Sequence, residues 1–211
     1  MWIVKTGVFT ALFGTLLSDG EGVFFMENKV FFVDKTLYKG RPEDTSNRLE
    51  KEVRVYDLLD SLGIEYERAD HDTADTIEDC EEVEKVIGVD ICKNLFLCNR
   101  QMTKFYVLMM PGKKPFKTKD ISQQIGSARL SFAPAEKMLE YLDITPGSVS
   151  IMGLANDKNN EVQLLLDREI AESEHVRCHP CINTSTLKIK TSDILEKFLP
   201  AIKHDPIVVD L

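Results

Sequence analysis

Two pairs of short apolar runs, each pair separated by a polar turn, constrain the fold of this chain most strongly. The first pair is 94–98 and 105–110, joined by the polar segment 99–103. The second pair is 149–154 and 162–166, joined by a cluster of Asn, Asp and Lys residues. Apolar runs of this length that are joined by turn-forming residues are typical of β-hairpins. The sequence therefore predicts two hairpins, and with them a largely antiparallel sheet.

Helical segments lie around these strands without a regular alternation of strand and helix. Apolar residues at helical spacing predict one helix that Thr45 or Ser46 caps and Gly63 ends, and a second that follows Thr76 and ends at Gly88. This order of elements predicts a mixed α/β, α+β-like fold. Further strands are predicted at 64–67, 187–190 and 207–209, and further helices at 120–125, between Pro134 and Pro146, and at 192–199.

The first 41 residues are separated from this pattern. Their apolar stretch, 8–17, is too short to span a bilayer, and no small-residue cleavage site follows it. Met26 opens a second plausible start of the chain. We therefore expect residues 1–41 to be an N-terminal extension, either native or the product of an upstream start, and residues 42–211 to form one domain.

Charge is distributed unevenly along the chain. The chain carries 26 basic and 35 acidic residues, a net charge of −9, which excludes a protein that coats DNA by bulk attraction. Residues 42–90 carry a net charge of −12, whereas residues 100–137 carry +6. Four lysines of the basic segment form either a solvated loop or a loop that faces phosphate: Lys113, Lys114, Lys117 and Lys119.

The five cysteines do not form the framework of a small secreted protein, because their number is odd and the chain is long. A reducing cytoplasm is therefore expected. The segment 175–181, HVRCHPC, holds the residue types of a zinc site, but the other cysteines are not paired at ligand spacing. We expect no metal and no cofactor.

Several polar residues could carry chemistry, although each also has a structural interpretation. Lys93 begins an apolar strand, where it either reaches solvent or lies in a cleft. His179 could orient a substrate or be an ordinary surface histidine, and Asn183 follows it closely. The turn at 146–148 has backbone N–H groups that could receive an ester carbonyl. The commonest motifs of nucleotide hydrolases, serine hydrolases and zinc proteases are absent from the sequence.

Three strings in order carry a family resemblance: KNLFL at 93–97, GSARLSFAPAEKMLEYLDITPGSVSIMGLAND at 126–157 and HPCIN at 179–183. Together they resemble the free-standing prolyl-tRNA editing proteins. These proteins are relatives of the editing domain of bacterial prolyl-tRNA synthetase and of the YbaK-type deacylases. The resemblance covers about residues 45–211. It implies a single editing-type domain with a central, mostly antiparallel, barrel-like sheet flanked by helices.

The resemblance also implies an activity, namely hydrolysis of the ester that joins a wrong amino acid, chiefly alanine, to tRNA(Pro). It places the essential lysine of the family at Lys93, where the ammonium grips the substrate near its terminal phosphate. The glycine loop of the family falls on Gly147, whose amides hold the ester, with Ile151 where a proline is common. The ribose 2′-hydroxyl of the tRNA helps to activate water. The residues expected to bind substrate are Asn94, Ser148, His179 and Asn183.

The expected partner is tRNA(Pro) carrying a wrong amino acid, with prolyl-tRNA synthetase as a candidate second partner and with neither DNA nor membrane. Lys113, Lys114, Lys117 and Arg129 are the candidates for contact with the tRNA backbone. The sequence is also compatible with two other functions. One is a deacylase for cysteinyl or another small aminoacyl group, and the other is a tRNA-binding or synthetase-associated module without catalysis. A zinc-binding interaction domain is a third.

Overall fold

The computed structural model describes residues 31–211, in which nine strands form two sheets. The strands are β1 (Tyr38–Lys39), β2 (Tyr66–Asp70), β3 (Cys92–Asn99), β4 (Phe105–Pro111), β5 (Leu130–Phe132), β6 (Val162–Asp167), β7 (His175–Cys178), β8 (Ser185–Lys190) and β9 (Ile207–Val209). The helices are α1 (Glu50–Ser61), α2 (Ile77–Ile87), α3 (Thr118–Gln124), α4 (Ala135–Leu142), a 3₁₀ helix (Ile151–Asn156), α5 (Arg168–Ala171), α6 (Thr191–Asp193), a π-helix (Ile194–Phe198) and α7 (Leu199–Ala201).

Most of the expected N-terminal extension, including the apolar stretch and Met26, lies outside the described residues. The folded part begins before position 42. Val33 forms a β-bridge with His71, and Tyr38 pairs with Arg68 in the register of β1 and β2. Residues in the thirties therefore contribute to the sheet of the domain.

The five-stranded sheet has the order β5-β3-β4-β6-β9. Its first predicted hairpin is confirmed, because β3 and β4 pair antiparallel from Cys92 opposite Pro111 to Cys98 opposite Phe105. The turn between them is closed by Asn99, whose Oδ1 accepts hydrogen bonds from the backbone amides of residues 103 and 104. Local turn chemistry was therefore sufficient to predict this hairpin.

The second predicted hairpin is wrong. The run 149–154 is not a strand, since its residues from Ile151 onward form the 3₁₀ helix, and β6 pairs parallel with β4 instead. Ser150 begins the helix by accepting a hydrogen bond from the amide of Met152 at 3.2 Å. Gly153 packs so closely that a Cβ there would lie 2.3 Å from Cδ1 of Ile144. An apolar run that is buried on all sides has no periodicity that separates strand from helix.

The four-stranded sheet has the order β1-β2-β8-β7 and is antiparallel throughout. The expected single barrel-like sheet is thus corrected to two open sheets, one of them mixed. The chain passes from β4 through α3, β5, α4 and the 3₁₀ helix before β6 pairs parallel with β4, and β9 in turn pairs parallel with β6. The mixed α/β class stands.

The helix termini show which local signals decide a boundary. Helix α2 begins with a capping box in which Thr76 and Asp79 exchange hydrogen bonds, and it ends at Gly88 with φ of 68°, as predicted. Helix α1 begins later than expected, because neither Thr45 nor Ser46 caps it. Its N-cap is Leu49, which makes no side-chain hydrogen bond. The burial of the apolar face of α1 therefore decides where this helix forms.

Two clusters of buried side chains lie on opposite faces of β3. Phe96 and Cys98 belong to the main cluster, which also holds residues of the four-stranded sheet, whereas Leu97 belongs to the second cluster. Because successive side chains of a strand point to opposite faces, Asn94 lies on the face of the main cluster and Lys93 on the other. This alternation fixes the geometry of the candidate site.

Candidate functional site

Lys93 is half-buried at the start of β3, and its ammonium is held by the loop that follows β4. Its Nζ donates a hydrogen bond to the carbonyl of Lys114 at 3.2 Å. The side chain of Lys114 is in turn fixed, with Nζ 3.0 Å from both carboxylate oxygens of Asp167 and 2.7 Å from Oε1 of Glu169. The ammonium of Lys93 has three donors, of which this contact uses one. The other two remain available for an anion.

Two predicted site residues carry buried acceptors that have no partner. Within residues 31–211, Oδ1 of Asn94 and Oδ1 of Asn183 are the side-chain oxygens or nitrogens that are buried and make no hydrogen bond. A buried amide oxygen without a donor costs about 1 to 3 kcal/mol. The orientation of the Asn183 amide is set by its neighbour, because Nδ2 donates to the carbonyl of Ala74 at 3.0 Å. These two oxygens can therefore accept hydrogen bonds from a bound molecule.

Gly147 lies beside Asn183. A Cβ placed on Gly147 would lie 3.6 Å from Nδ2 of Asn183, and φ of Gly147 is 89°, in the region that favours glycine. Since Asn183 also binds Ala74, three loops meet here: the loop before α2, the turn after α4 and the HPCIN segment. The structure thus brings together residues from the second and third strings of the sequence.

The amides of this turn are not equivalent. The Ser148 amide donates to the carbonyl of Thr145 at 3.0 Å and closes the turn, so it is unavailable to a substrate. The Gly147 amide donates to no backbone carbonyl of residues 31–211. The expected role of the turn as an amide donor therefore stays a prediction for Gly147, and the side chain of Ser148 is buried.

His179 is held as a neutral ring in one tautomer. Its Nδ1 lies 2.8 Å from the carbonyl oxygen of Ser185, which only a protonated Nδ1 can satisfy. Burial lowers the pKa of His179 to about 4, and the nearby ring of His71 and the charge of Arg177 act in the same direction. Nε2 of a neutral ring protonated at Nδ1 is an acceptor. His179 can therefore receive a hydrogen bond from a substrate but does not carry a charge near neutral pH.

A second histidine, which the sequence interpretation missed, supports His179 through a threonine. Nε2 of His71 lies 2.9 Å from Oγ1 of Thr186, and that oxygen lies 3.4 Å from Nδ1 of His179. Nδ1 of His71 donates to the carbonyl of Asp72 at 2.7 Å, so its Nε2 accepts the proton of the Thr186 hydroxyl. The signal available in sequence was a lone histidine four residues beyond the predicted strand 64–67, which is too common to interpret.

Arg177 is the other residue that sequence reasoning missed. Its side chain is 7% exposed, its Nη1 donates to the carbonyl of Cys80 at 3.4 Å, and no carboxylate of residues 31–211 forms an ion pair with it. Burial lowers its pKa. Strand β3, which begins just before Lys93 and Asn94, lies beside β7, the strand that leads into His179.

The basic residues differ in how they are held. Lys113, Lys117 and Arg129 are exposed and pair with no carboxylate within residues 31–211, whereas Lys114 is bound to Asp167 and Glu169. Lys114 thus positions the loop around Lys93, and the three other residues remain free to meet an anionic partner. Four surface cavities of about 390 to 630 Å³ are lined by none of the six residues expected to contact the substrate, but one of them, of about 390 Å³, is lined by His71 and by Ile182 and Thr184, the neighbours of Asn183.

The thiols are held in their protonated form. Burial raises the pKa of Cys181 to about 12 and also raises that of Cys178, so neither is a ready nucleophile. In the part of the chain that the structure describes, no group of three His, Cys, Asp or Glu residues is arranged to hold a metal ion. No helix among residues 31–211 is long and apolar enough to cross a membrane.

Comparison with known proteins shows the family to which this chain is similar. A family model described as an aminoacyl-tRNA editing domain matches residues 71–197. The prolyl-tRNA editing protein ProX of Acetoanaerobium sticklandii is 35% identical over 144 residues, which cover 68% of this chain and 87% of that protein. Prolyl-tRNA synthetase associated domain-containing protein 1 of Danio rerio is 30% identical, over 76% of this chain and 86% of that protein.

The fold itself recurs in a solved structure. A crystal structure described as "a putative trans-editing enzyme for prolyl tRNA synthetase" superposes with a TM-score of 0.58 at 16% identity, over 77% of this chain and 97% of that chain. At this identity the likeness concerns the fold alone. Residues 71–197, which the family model matches, include all six residues that were expected to contact the substrate at the reacting end: Lys93, Asn94, Gly147, Ser148, His179 and Asn183.

Proposed function

Because the chain belongs to the aminoacyl-tRNA editing domain family, we propose that it is a trans-editing deacylase that hydrolyses the ester of mischarged alanyl-tRNA(Pro). The observation that carries this proposal is the pair of buried, unpartnered amide oxygens on Asn94 and Asn183. An aminoacyl ester carries a free α-ammonium group, which has three donors and needs acceptors. Buried oxygens that lack a donor are suited to that group.

The remaining groups divide the work on the ester. The two free donors of Lys93 bind the phosphate next to the terminal adenosine, as a charged amine can. The Gly147 amide donates to the ester carbonyl, where negative charge develops during attack by water. In this proposal Lys93 holds the phosphate and Gly147 holds the ester carbonyl.

Water activation uses the substrate, with His179 as an orienting group. The neutral His179 ring offers the Nε2 lone pair, which accepts a hydrogen bond from the ribose 2′-hydroxyl or from the attacking water. Thr186 and His71 hold that ring in its tautomer. This series of hydrogen bonds from His71 through Thr186 to His179 positions the reacting groups without a Ser-His-Asp triad.

Selection of alanine follows from exclusion by size. A pocket that fits a methyl group rejects the ring of proline through clash, whereas the loss of one methylene in an open pocket is worth only about 1 to 3 kcal/mol. We place the protein in the cytoplasm, where unpaired cysteines persist and charged tRNA is found. Prolyl-tRNA synthetase is the expected source of the mischarged substrate.

The proposal is tested by single-turnover deacylation of tRNA(Pro) charged with alanine, cysteine, serine or proline. We expect the fastest loss of alanine and no loss of proline. Asn183→Leu should slow the loss of alanine, because it removes the acceptor oxygen, whereas Asn159→Leu in the exposed turn before β6 serves as the matched control. Faster loss of cysteine or serine would move the protein to another aminoacyl group, and binding of tRNA without hydrolysis would identify a binding module.

A further inference from the structure

An exposed aromatic pair lies on the same face of the five-stranded sheet as Lys93. Phe132, in the edge strand β5, is a large apolar side chain that is 65% exposed. Its ring centroid lies 6.4 Å from that of Phe116, and the two rings are tilted by 58°. Phe116 itself is half-buried against the second cluster. We call Phe116 and Phe132 the aromatic platform.

The register of the sheet fixes where the platform lies relative to Lys93. Phe132 is paired with Leu97, and residues directly opposite each other in a sheet share a face. Leu97 and Lys93 are four residues apart on β3, so they also share that face and are separated by about 13 Å along the strand. The loop that carries Phe116 is the loop whose Lys114 carbonyl holds Lys93. The platform is thus continuous with the cation of the site.

The charge around the platform selects its ligand. Lys113, Lys117, Lys119 and Arg129 are exposed around it in the sequence, and no carboxylate of residues 31–211 pairs with any of them. Exposed aromatic rings among free cations are typical of surfaces that bind single-stranded nucleic acid, since rings stack on bases and cations contact phosphates. A protein partner would not need this excess of one charge.

We propose that the aromatic platform stacks the unpaired bases that precede the terminal adenosine of the tRNA, while the surrounding cations contact their phosphates. The inference rests on the proposed function for the identity of the RNA. It adds a binding subsite, about 13 Å from Lys93, that takes bases by stacking and without reading their identity. The Lys114 ion pairs hold this subsite in place, because they fix the loop that carries Phe116.

The direct test is equilibrium binding of a fluorescein-labelled single-stranded RNA that ends in CCA, so the readout does not depend on catalysis. Phe132→Ala should raise the Kd about 5- to 150-fold, the range expected when one stacked base is lost. Phe132→Tyr, which keeps the ring, should bind as the wild type does. Leu139→Ala is the matched control, because Leu139 is also exposed but lies on α4.

A second experiment measures deacylation of alanyl-tRNA(Pro) and of 3′-O-alanyl-adenosine 5′-phosphate, which carries the same ester but lacks the preceding nucleotides. Phe132→Ala should raise KM for the tRNA by a similar factor and leave the small substrate unchanged. Equal RNA binding by Phe132→Ala and the wild type would overturn the subsite, as would a change confined to self-association or to binding of prolyl-tRNA synthetase. Stacking without hydrolysis would instead leave the subsite standing and refute the proposed function.

Discussion

Replacement of Lys114 by methionine tests whether the loop beside Lys93 is held by a buried ion pair. The Asp167 side chain is fully buried, at 0% exposure, and the Lys114 side chain is 16% exposed. Removal of one partner of a buried pair leaves the other charge without compensation and typically costs 3 to 5 kcal/mol. Asp167 keeps one hydrogen bond from the Glu169 amide at 2.9 Å, so we expect Lys114→Met to cost about 2 to 4 kcal/mol.

A second ion pair of Lys114, with Glu169, provides the control. Glu169 also contacts Lys114, but its side chain is 66% exposed, and exposed pairs contribute about 0 to 1 kcal/mol. Glu169→Gln should therefore lower the free energy of unfolding by less than 1 kcal/mol. The assay is urea denaturation of the full chain with the m-value compared between variants. A cost below about 1 kcal/mol for Lys114→Met, or equal costs for the two variants, would show that the buried ion pair with Asp167 does not hold this loop.

Three further predictions concern the residues around the ester. Because burial holds the pKa of His179 at about 4, below its ordinary 6.5, the neutral ring stabilises the fold fully above pH 6.5. We expect up to about 3 kcal/mol of this stability to be lost as the pH falls from 6.5 to 4. His179→Gln should therefore reduce the difference between the urea midpoints measured at pH 7 and at pH 4.5. An unchanged difference would contradict the buried neutral ring. Thr186→Val removes the donor to His71, so it should cost about 1 to 2 kcal/mol in unfolding and lower kcat more than it raises KM; wild-type stability would exclude the proposed chain of hydrogen bonds. Gly147→Ala should lower the free energy of unfolding by about 1 to 2 kcal/mol, because alanine is strained at φ of 89° although its Cβ would meet no clash, and it should also slow deacylation. Gly126→Ala, at φ of 61° with no neighbour within 4 Å, should lower stability without changing activity. Equal activities of the two variants would show that Gly147 is not part of the site.

The parts of the fold that could be predicted are those with local signals. Asn99 closes the first hairpin with its own side chain, and Thr76 caps α2 through Asp79, so the stretch around each element determines it. The 3₁₀ helix and the parallel pairing of β6 could not be predicted in this way. Burial against Ile144 and against β4 decides them, and both contacts depend on the assembled core.

The candidate site shows the same division. Its reacting end, with Lys93, Gly147 and His179, was reached through the family resemblance, since each residue alone has an ordinary structural interpretation. The unavailability of the Ser148 amide and the engagement of Lys114 are tertiary facts, because their acceptors become known only once the chain is folded. The aromatic platform also depends on sheet register, since Phe132 and Lys93 are 39 positions apart in the sequence.

Single-turnover hydrolysis of alanyl-tRNA(Pro) by the wild type, Lys93→Ala and Lys104→Ala decides whether this protein deacylates the mischarged tRNA and whether Lys93 takes part. Lys104 is an exposed lysine just before β4, at the opposite end of the β3/β4 hairpin from Lys93, and serves as the matched control. We expect rapid loss of alanine with the wild type and Lys104→Ala, sparing of prolyl-tRNA(Pro), and at least about a 100-fold slower reaction with Lys93→Ala. Hydrolysis by Lys93→Ala at the wild-type rate would contradict the assignment of the site.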